Sequence, residues 1–193
     1  MVSWYLGLLL LLVLERVVEL VISRRHAAWA FDRGGVEFGR RHFRLMKLLH
    51  ACFFCSCAAE VVWWHRPFIP LLALPMAVLV VFSQVLRYWA VAALGRRWNV
   101  RVIVIPGEGT VSSGPYRYLR HPNYVAVLIE IVAVPLLHGA WVTTLVFTLL
   151  NAILLSVRIR CEERALMRYS DYQHRLGSLR RFLPTWPASA HGR

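Results

Sequence analysis

Four long apolar stretches, separated by connections dense in arginine, restrict this chain to very few architectures. A helix needs about 20 apolar residues to cross the hydrocarbon core of a bilayer. Residues 4–22, 45–64 and 68–94 each supply such a run. The fourth, 124–157, is too long for one span. Pro135 and His138-Gly139 divide it into a helical hairpin with arms 124–136 and 140–160, the first arm short. The sequence therefore predicts an all-α integral membrane protein with about five transmembrane helices, the last two paired as a hairpin. The first apolar run lacks a positive leading segment and a small-residue cleavage site, and continues into Glu15, Arg16 and Glu19. It is expected to stay as the first helix.

Charge sets the expected orientation. The 193 residues carry 23 Lys and Arg against 10 Asp and Glu, a formal net charge of +13, although 58% of residues are hydrophobic. Seven of these cations lie in the 23–47 connection: Arg24, Arg25, Arg33, Arg40, Arg41, Arg44 and Lys47. Arg96, Arg97, Arg101, Arg117 and Arg120 fall within 95–123, and eight arginines follow from Arg158 onward. The intervening connections, 65–70 and 135–141, hold only Arg66. By the positive-inside rule the N-terminus is expected outside and the C-terminus in the cytosol, in a bacterial inner membrane. The same blockwise pattern argues against nucleic acid as the partner of this basic chain. Of the four cysteines, Cys52, Cys55 and Cys57 lie in one apolar run and lack paired zinc-ligand spacing, so no metal site is expected.

The connection 95–123 is the least helical part. Residues 99–105 are rich in Val and Ile, and turn signals follow at 106–109 and 112–115, which predicts a short extended or hairpin element. Gly107-Glu108-Gly109 is no dinucleotide fingerprint, because no GxGxxG opens a helix after a strand.

Two polar clusters could carry chemistry. Gly114-Pro115-Tyr116-Arg117-Tyr118-Leu119-Arg120-His121-Pro122-Asn123-Tyr124 stands where the fourth helix begins. It joins a turn, a helix start, cations, an imidazole and aromatic rings, a set able to hold a ligand with a carboxylate and a heteroaromatic base. The plainer alternative is a basic interfacial loop anchored by tyrosines. The second cluster is Arg158-x-x-x-Glu162-Glu163-x-x-Leu166, with Tyr169, Tyr172 and Arg181-Phe182-Leu183-Pro184 beyond it. Taken alone, Arg158 and Glu162 form a simple ion pair one helical turn apart.

Together, Gly-Pro-Tyr-Arg-x-x-Arg-His-Pro-x-Tyr, a helical hairpin and Arg-x-x-x-Glu-Glu-x-x-Leu resemble the isoprenylcysteine carboxyl methyltransferase family, over residues 99–184. The related phospholipid methyltransferases share much of the pattern. Glu15-Arg16-x-x-Glu19, Trp29, Gly34-Gly35-x-Glu37-x-Gly39, His42 and Met46-x-x-x-His50 are similar to a bacterial branch associated with type III polyketide synthases. That branch methylates ring hydroxyls of alkylpyrones or alkylresorcinols.

The resemblance implies one membrane methyltransferase domain using S-adenosylmethionine, with 1–94 on the substrate side and 95–193 binding the cofactor through a cytosolic loop and a C-terminal helix. It implies that Tyr116, Leu119, His121, Pro122 and Tyr124 line the cofactor pocket, with Glu163 or Glu162 at the cofactor's polar end or helping to place the substrate. It places Arg158 beside the methyl acceptor. Glu162 and His50 complete the expected catalytic set, since a resorcinol hydroxyl, with pKa about 10 by analogy with Tyr, needs help to ionise. His42 is a further candidate base. Methyl transfer from a sulfonium to an anionic oxygen consumes charge, so a dry site that aligns the partners favours it.

Polar residues inside the expected spans point the same way. Glu15, Glu19, His50, Glu60, Gln84, Arg87 and Glu130 are costly in hydrocarbon unless paired or functional, and a structural ion-pair network would also account for Glu15, Arg16 and Glu19. Glu60 is expected too near the far interface to take part in chemistry. The expected partner is thus a lipid-like small molecule arriving from the bilayer. The alternatives are methylation of a prenylcysteine carboxylate or phospholipid amine, an NADPH-dependent membrane reductase, and a non-enzymatic membrane binding protein.

Overall fold

The computed structural model describes residues 2–185. Of the C-terminal arginines, Arg193 lies outside the described residues. Five long helices form the body: α1 Val2–Phe31, α2 Arg40–Trp63, α3 Pro70–Leu94, α4 Pro122–Leu136 and α5 Trp141–Tyr169, with a short α6 at Tyr172–Leu176. Two three-residue strands, β1 Val36–Phe38 and β2 Val102–Val104, lie in the connections.

Among the described residues, three helical segments are long and apolar enough to cross a membrane: Arg40–Trp63, Pro70–Arg97 and Trp141–Tyr169. The other two long helices differ from the five expected spans for separate reasons. α1 has 30 residues, ample length, but Glu15, Arg16 and Glu19 interrupt its apolar run. α4 has only 15 residues, which makes it about 22 Å long, short of a hydrocarbon core about 30 Å thick. The membrane-facing surface is clear on α3, where Leu71, Leu74, Val78, Val81 and Val85 recur at helical spacing and stay exposed. The core beneath gathers Tyr5, Leu9 and Leu12 of α1 with Phe53, Cys57 and Val61 of α2, Ile131 and Val134 of α4, and Phe147 of α5.

α1 runs past its expected end at residue 22, because its last turns find partners in the 95–123 connection. Ser23 Oγ donates to Asn99 Oδ1 at 2.8 Å, and Asn99 Nδ2 donates back to the Ser23 carbonyl at 3.0 Å. His26 Nδ1 donates to the Trp98 carbonyl at 2.8 Å. The extended element expected in 99–105 is β2, but it forms no local hairpin. It pairs antiparallel with β1, with Val36 opposite Val104 and Phe38 opposite Val102. Val102 and Val104 pack on Ala165, Leu166 and Tyr169, which seats the strand pair against the end of α5.

The three arginine-rich connections therefore meet at one end of the bundle. The opposite end is closed by Glu60. Its carboxylate accepts from the Val142 and Thr143 amides at 3.1 and 2.7 Å, so a side chain of α2 caps the start of α5. Arg66 Nη2 lies 2.9 Å from the same carboxylate. Glu60 thus ties α2 to the start of the hairpin's second arm. In the hairpin turn Gly139 has φ +69°, and a Cβ there would lie 3.1 Å from the Pro67 carbonyl, so the turn needs glycine on both counts.

Candidate active site

The site is built where α4 begins beside the end of α5. His121 precedes Pro122, the first residue of α4, and the backbone there is held from outside the helix. The amides of Arg120 and His121 donate to the Arg180 and Arg181 carbonyls at 3.0 and 3.2 Å. Arg120 Nε donates to the Leu179 carbonyl at 2.7 Å, and its Nη2 donates to the Gly177 carbonyl. The segment after α6 thus straps the entrance loop.

Arg158 and Glu162 are not joined directly. The Tyr124 phenol stands between them: it donates to Glu162 and accepts from Arg158 Nε at 2.8 Å. Arg158 Nη2 donates to the Val100 carbonyl at 2.5 Å. Tyr124 and Arg158 are buried. One guanidinium therefore spans from α5 to the loop ahead of β2 and to α4, which fixes its plane in the bundle.

Glu162 and Glu163 are adjacent on α5, so their side chains leave the helix about 100° apart. Glu162 faces inward to a cavity, whereas Glu163 faces the strap. Glu163 Oε1 accepts from Arg181 Nε at 2.9 Å and lies 3.1 Å from His121 Nε2, and Oε2 accepts from Arg181 Nη2 at 2.5 Å. The Tyr172 hydroxyl donates to it at 3.4 Å. His121, held by Glu163, stacks on Tyr124 with ring centroids 5.2 Å apart and planes 25° apart.

The cavity has a volume of about 540 Å³. Tyr116, His121, Tyr124, Arg158 and Glu162 line it, and so does His50 from α2. Leu119, Pro122 and Glu163 do not; all three are buried behind the wall, where they set its shape. Tyr116 is buried at the wall, and burial pushes its phenol well above the usual range, so it stays a neutral hydroxyl. His42, the other histidine singled out in the sequence, is not on the cavity wall.

A profile of the isoprenylcysteine carboxyl methyltransferase (ICMT) family matches residues 76–168, from mid-α3 through most of α5. The chain is 38% identical over 171 residues to uncharacterized protein YpbQ of Bacillus subtilis, covering 84% of this chain and 96% of that protein. It is 28% identical over 152 residues to an uncharacterized protein of Haemophilus influenzae, covering 78% of this chain and 88% of the other. The chain belongs to the isoprenylcysteine carboxyl methyltransferase family. It is a membrane methyltransferase by that membership.

Within this family frame, the structure adds wall residues that the motifs alone did not single out. Asn123 lines the cavity and its Oδ1 is buried without a hydrogen-bond partner. Thr110 and Ser170 reach the same wall. Thr110 is fixed by Asp171, whose carboxylate accepts from the Thr110 amide at 2.6 Å. That amide first, and Arg175 second, hold the Asp171 carboxyl below its usual range. Ser170-Asp171 ahead of a short helix was the available signal for this contact, since Asp readily binds backbone amides at such a start. The cavity also extends to Arg16, Glu19 and Arg87 on α1 and α3, so the methyltransferase joins its motif-bearing end to the polar residues inside its helices.

Proposed function

We propose that this protein is an S-adenosylmethionine-dependent O-methyltransferase whose acceptor is the ring hydroxyl of an alkylpyrone or alkylresorcinol. The observation that carries the reading is one continuous cavity. It has Tyr116, His121, Tyr124, Arg158 and Glu162 along one part of its wall and Val13, Val17, Leu20 and Phe54 of the membrane helices along another.

The wall residues fit the cofactor. Glu162 and the unpaired Asn123 Oδ1 are acceptors suited to an ammonium group, and Arg120 is a cation suited to a carboxylate. Tyr116, His121 and Tyr172 offer ring faces for a heteroaromatic base. When bound, S-adenosylmethionine supplies an electrophilic methyl group. Arg158, held by Tyr124 and Val100, presents a fixed cation that orients an acceptor oxyanion. His50 Nδ1 is committed to the Met46 carbonyl at 2.8 Å, which makes it the donor and leaves the Nε2 lone pair for a proton. On this reading residues 1–94 serve the substrate side and the region from residue 95 onward binds the cofactor.

The reading includes an orientation. The arginine-rich end carries the site, which favours a cytosolic C-terminus and an external N-terminus in a bacterial inner membrane. A soluble cofactor then arrives from the cytosol and a long-tailed acceptor from the bilayer. The similarity of 15–50 to the polyketide-associated branch supports the ring hydroxyl over a prenylcysteine carboxylate.

The test uses detergent-purified protein. It should bind S-adenosylhomocysteine in calorimetric titration and ignore NADPH, and labelled cofactor should mark an alkylpyrone or alkylresorcinol in a lipid extract. Absence of S-adenosylhomocysteine binding would sink the reading; label on a phospholipid amine would move the acceptor to another class.

A further inference from the structure

The part of the cavity wall formed by α1 and α3 holds an ion cluster whose charges do not cancel. Glu15, Glu19 and Glu130 supply three carboxylates, whereas Arg16 and Arg87 supply two guanidinium groups. Arg16 Nη1 donates to Glu19 Oε2 at 2.7 Å, and its Nη2 lies 3.0 Å from Glu15 Oε1 and 3.7 Å from Glu130 Oε1. Arg87 forks onto Glu130 through Nε at 3.3 Å and through Nη2, with Gln84 Nε2 adding a bond at 2.9 Å. Two carboxylate oxygens of the cluster are buried without a hydrogen-bond donor, Glu15 Oε1, which keeps its close Arg16 contact, and Glu19 Oε1. Glu19 Oε1 lies 3.8 Å from Arg87 Nη1. Glu19, Arg16, Arg87 and His50 all face the cavity.

An unmatched charge inside a bundle is expensive, and one proton would make this cluster neutral. O-methylation of a neutral hydroxyl releases one proton, whereas methylation of a carboxylate that arrives ionised releases none. We infer that Glu19, in its network with Arg16, Arg87 and Glu130, takes up the proton that a weakly acidic ring hydroxyl loses on methylation, with His50 lining the same cavity. The acceptor's O–H bond breaks and its proton passes to the cluster. An O–CH3 bond forms as the donor's S–CH3 bond breaks, with that electron pair staying on sulfur. The stored proton leaves through the cavity before the next turnover.

The groups facing His50 are Arg16 of α1, Arg87 of α3, Glu130 of α4 and the Met46 carbonyl of its own helix. Those facing Glu19 are Arg87, Arg16, Glu15 and Glu130. From α5, Arg158 and Glu162 share the cavity, as does Lys47 from α2. The inference rests on the methyltransferase reading and narrows its acceptor to hydroxyls that arrive protonated.

The experiment compares two acceptors with the same alkyl tail, a resorcinol and a 4-hydroxypyrone already ionised at neutral pH. Full-length protein in nanodiscs transfers label from S-adenosylmethionine to each across a pH series. In Glu19→Gln the resorcinol-to-pyrone rate ratio at pH 7 should fall by at least about tenfold and recover as pH rises toward about 10, where the phenol ionises unaided. Glu19→Asp, which keeps the carboxylate, should restore part of the ratio. An unchanged ratio, or a parallel loss with both acceptors at every pH, would overturn the inference. If Glu19→Gln does not fold, the wild-type profile decides. Its resorcinol rate should level off well below pH 10, and a rate that follows the phenol's own ionisation refutes the role. Wild-type protein that binds S-adenosylhomocysteine but labels only the pyrone overturns this inference alone, whereas labelling of neither acceptor overturns it together with the ring-hydroxyl assignment. Protein that binds no S-adenosylhomocysteine fails the methyltransferase reading itself.

Discussion

Glu163→Ala should loosen both the fold and the proposed cofactor site, although Glu163 does not line the cavity. Its carboxylate accepts from His121 at 3.1 Å, from Tyr172 at 3.4 Å and from Arg181 at 2.9 and 2.5 Å. His121 and Tyr172 are 5% and 1% exposed, so neither can turn to water when the carboxylate goes. Each bond to a charged acceptor contributes about 1.5–3 kcal/mol. Arg181 has half its side chain in solvent and rehydrates readily, so its share is discounted to below about 1 kcal/mol. The expected loss is about 3–5 kcal/mol, in line with removing one partner of a buried charged network. For a chain of this size that lowers Tm by roughly 6–20 °C. Tryptophan fluorescence during heating in detergent reads the shift. Titration with S-adenosylhomocysteine on the folded protein at low temperature should show affinity reduced at least about tenfold, because His121 loses its anchor and the strap its tie. Glu163→Gln, which keeps one acceptor oxygen, should fall between wild type and alanine. A Tm within about 2 °C of wild type together with unchanged affinity would refute the clamp.

Three further changes separate the remaining parts. Arg158→Lys keeps the charge but loses the fork that reaches Tyr124 and Val100, so label transfer should fall by about 100-fold while S-adenosylhomocysteine still binds. Tyr124→Phe removes the phenol between Arg158 and Glu162. It should lower kcat by about 10-fold or more, and a variant with unchanged kcat shows that the bridge is dispensable. Glu60→Ala uncaps α5 at the opposite end of the bundle, which should cost about 2 kcal/mol in thermal unfolding but leave the rate per folded molecule unchanged.

What could be read from the sequence followed from properties that survive without tertiary contacts. Apolar runs fixed the helices, and the hairpin break at Pro135 and Gly139 falls where Leu136 ends α4 and Trp141 begins α5. The β1–β2 pair was half legible. A Val- and Ile-rich segment predicts an extended element, but a three-residue strand says nothing about its partner, and here the partner lies in the α1–α2 connection. The end of α1 was misplaced because apolarity stops near residue 22, whereas the helix continues on hydrogen bonds to Trp98 and Asn99. α4 was expected to be short, and its 15 residues bear that out.

The paired glutamates mark where sequence reading stops. Glu162-Glu163 gives no sign of which carboxylate faces the ligand, because the answer depends on the azimuth of α5 against α4 and the strap. Once α5 packs, a rotation of about 100° gives the two residues unlike work. Glu162 shares the Tyr124 phenol with Arg158 and keeps its place on the cavity wall. Glu163 turns outward to gather His121, Tyr172 and Arg181. The Arg158–Glu162 spacing, read alone, is an ion pair; the fold inserts a tyrosine from 34 residues away and makes it a three-member relay. Arg158 and Glu162 come from α5 and Tyr124 from α4, and the loop before β2 fixes Arg158 through the Val100 carbonyl. A cofactor's binding energy need not be spent on assembling them, which is what an alignment-limited methyl transfer requires.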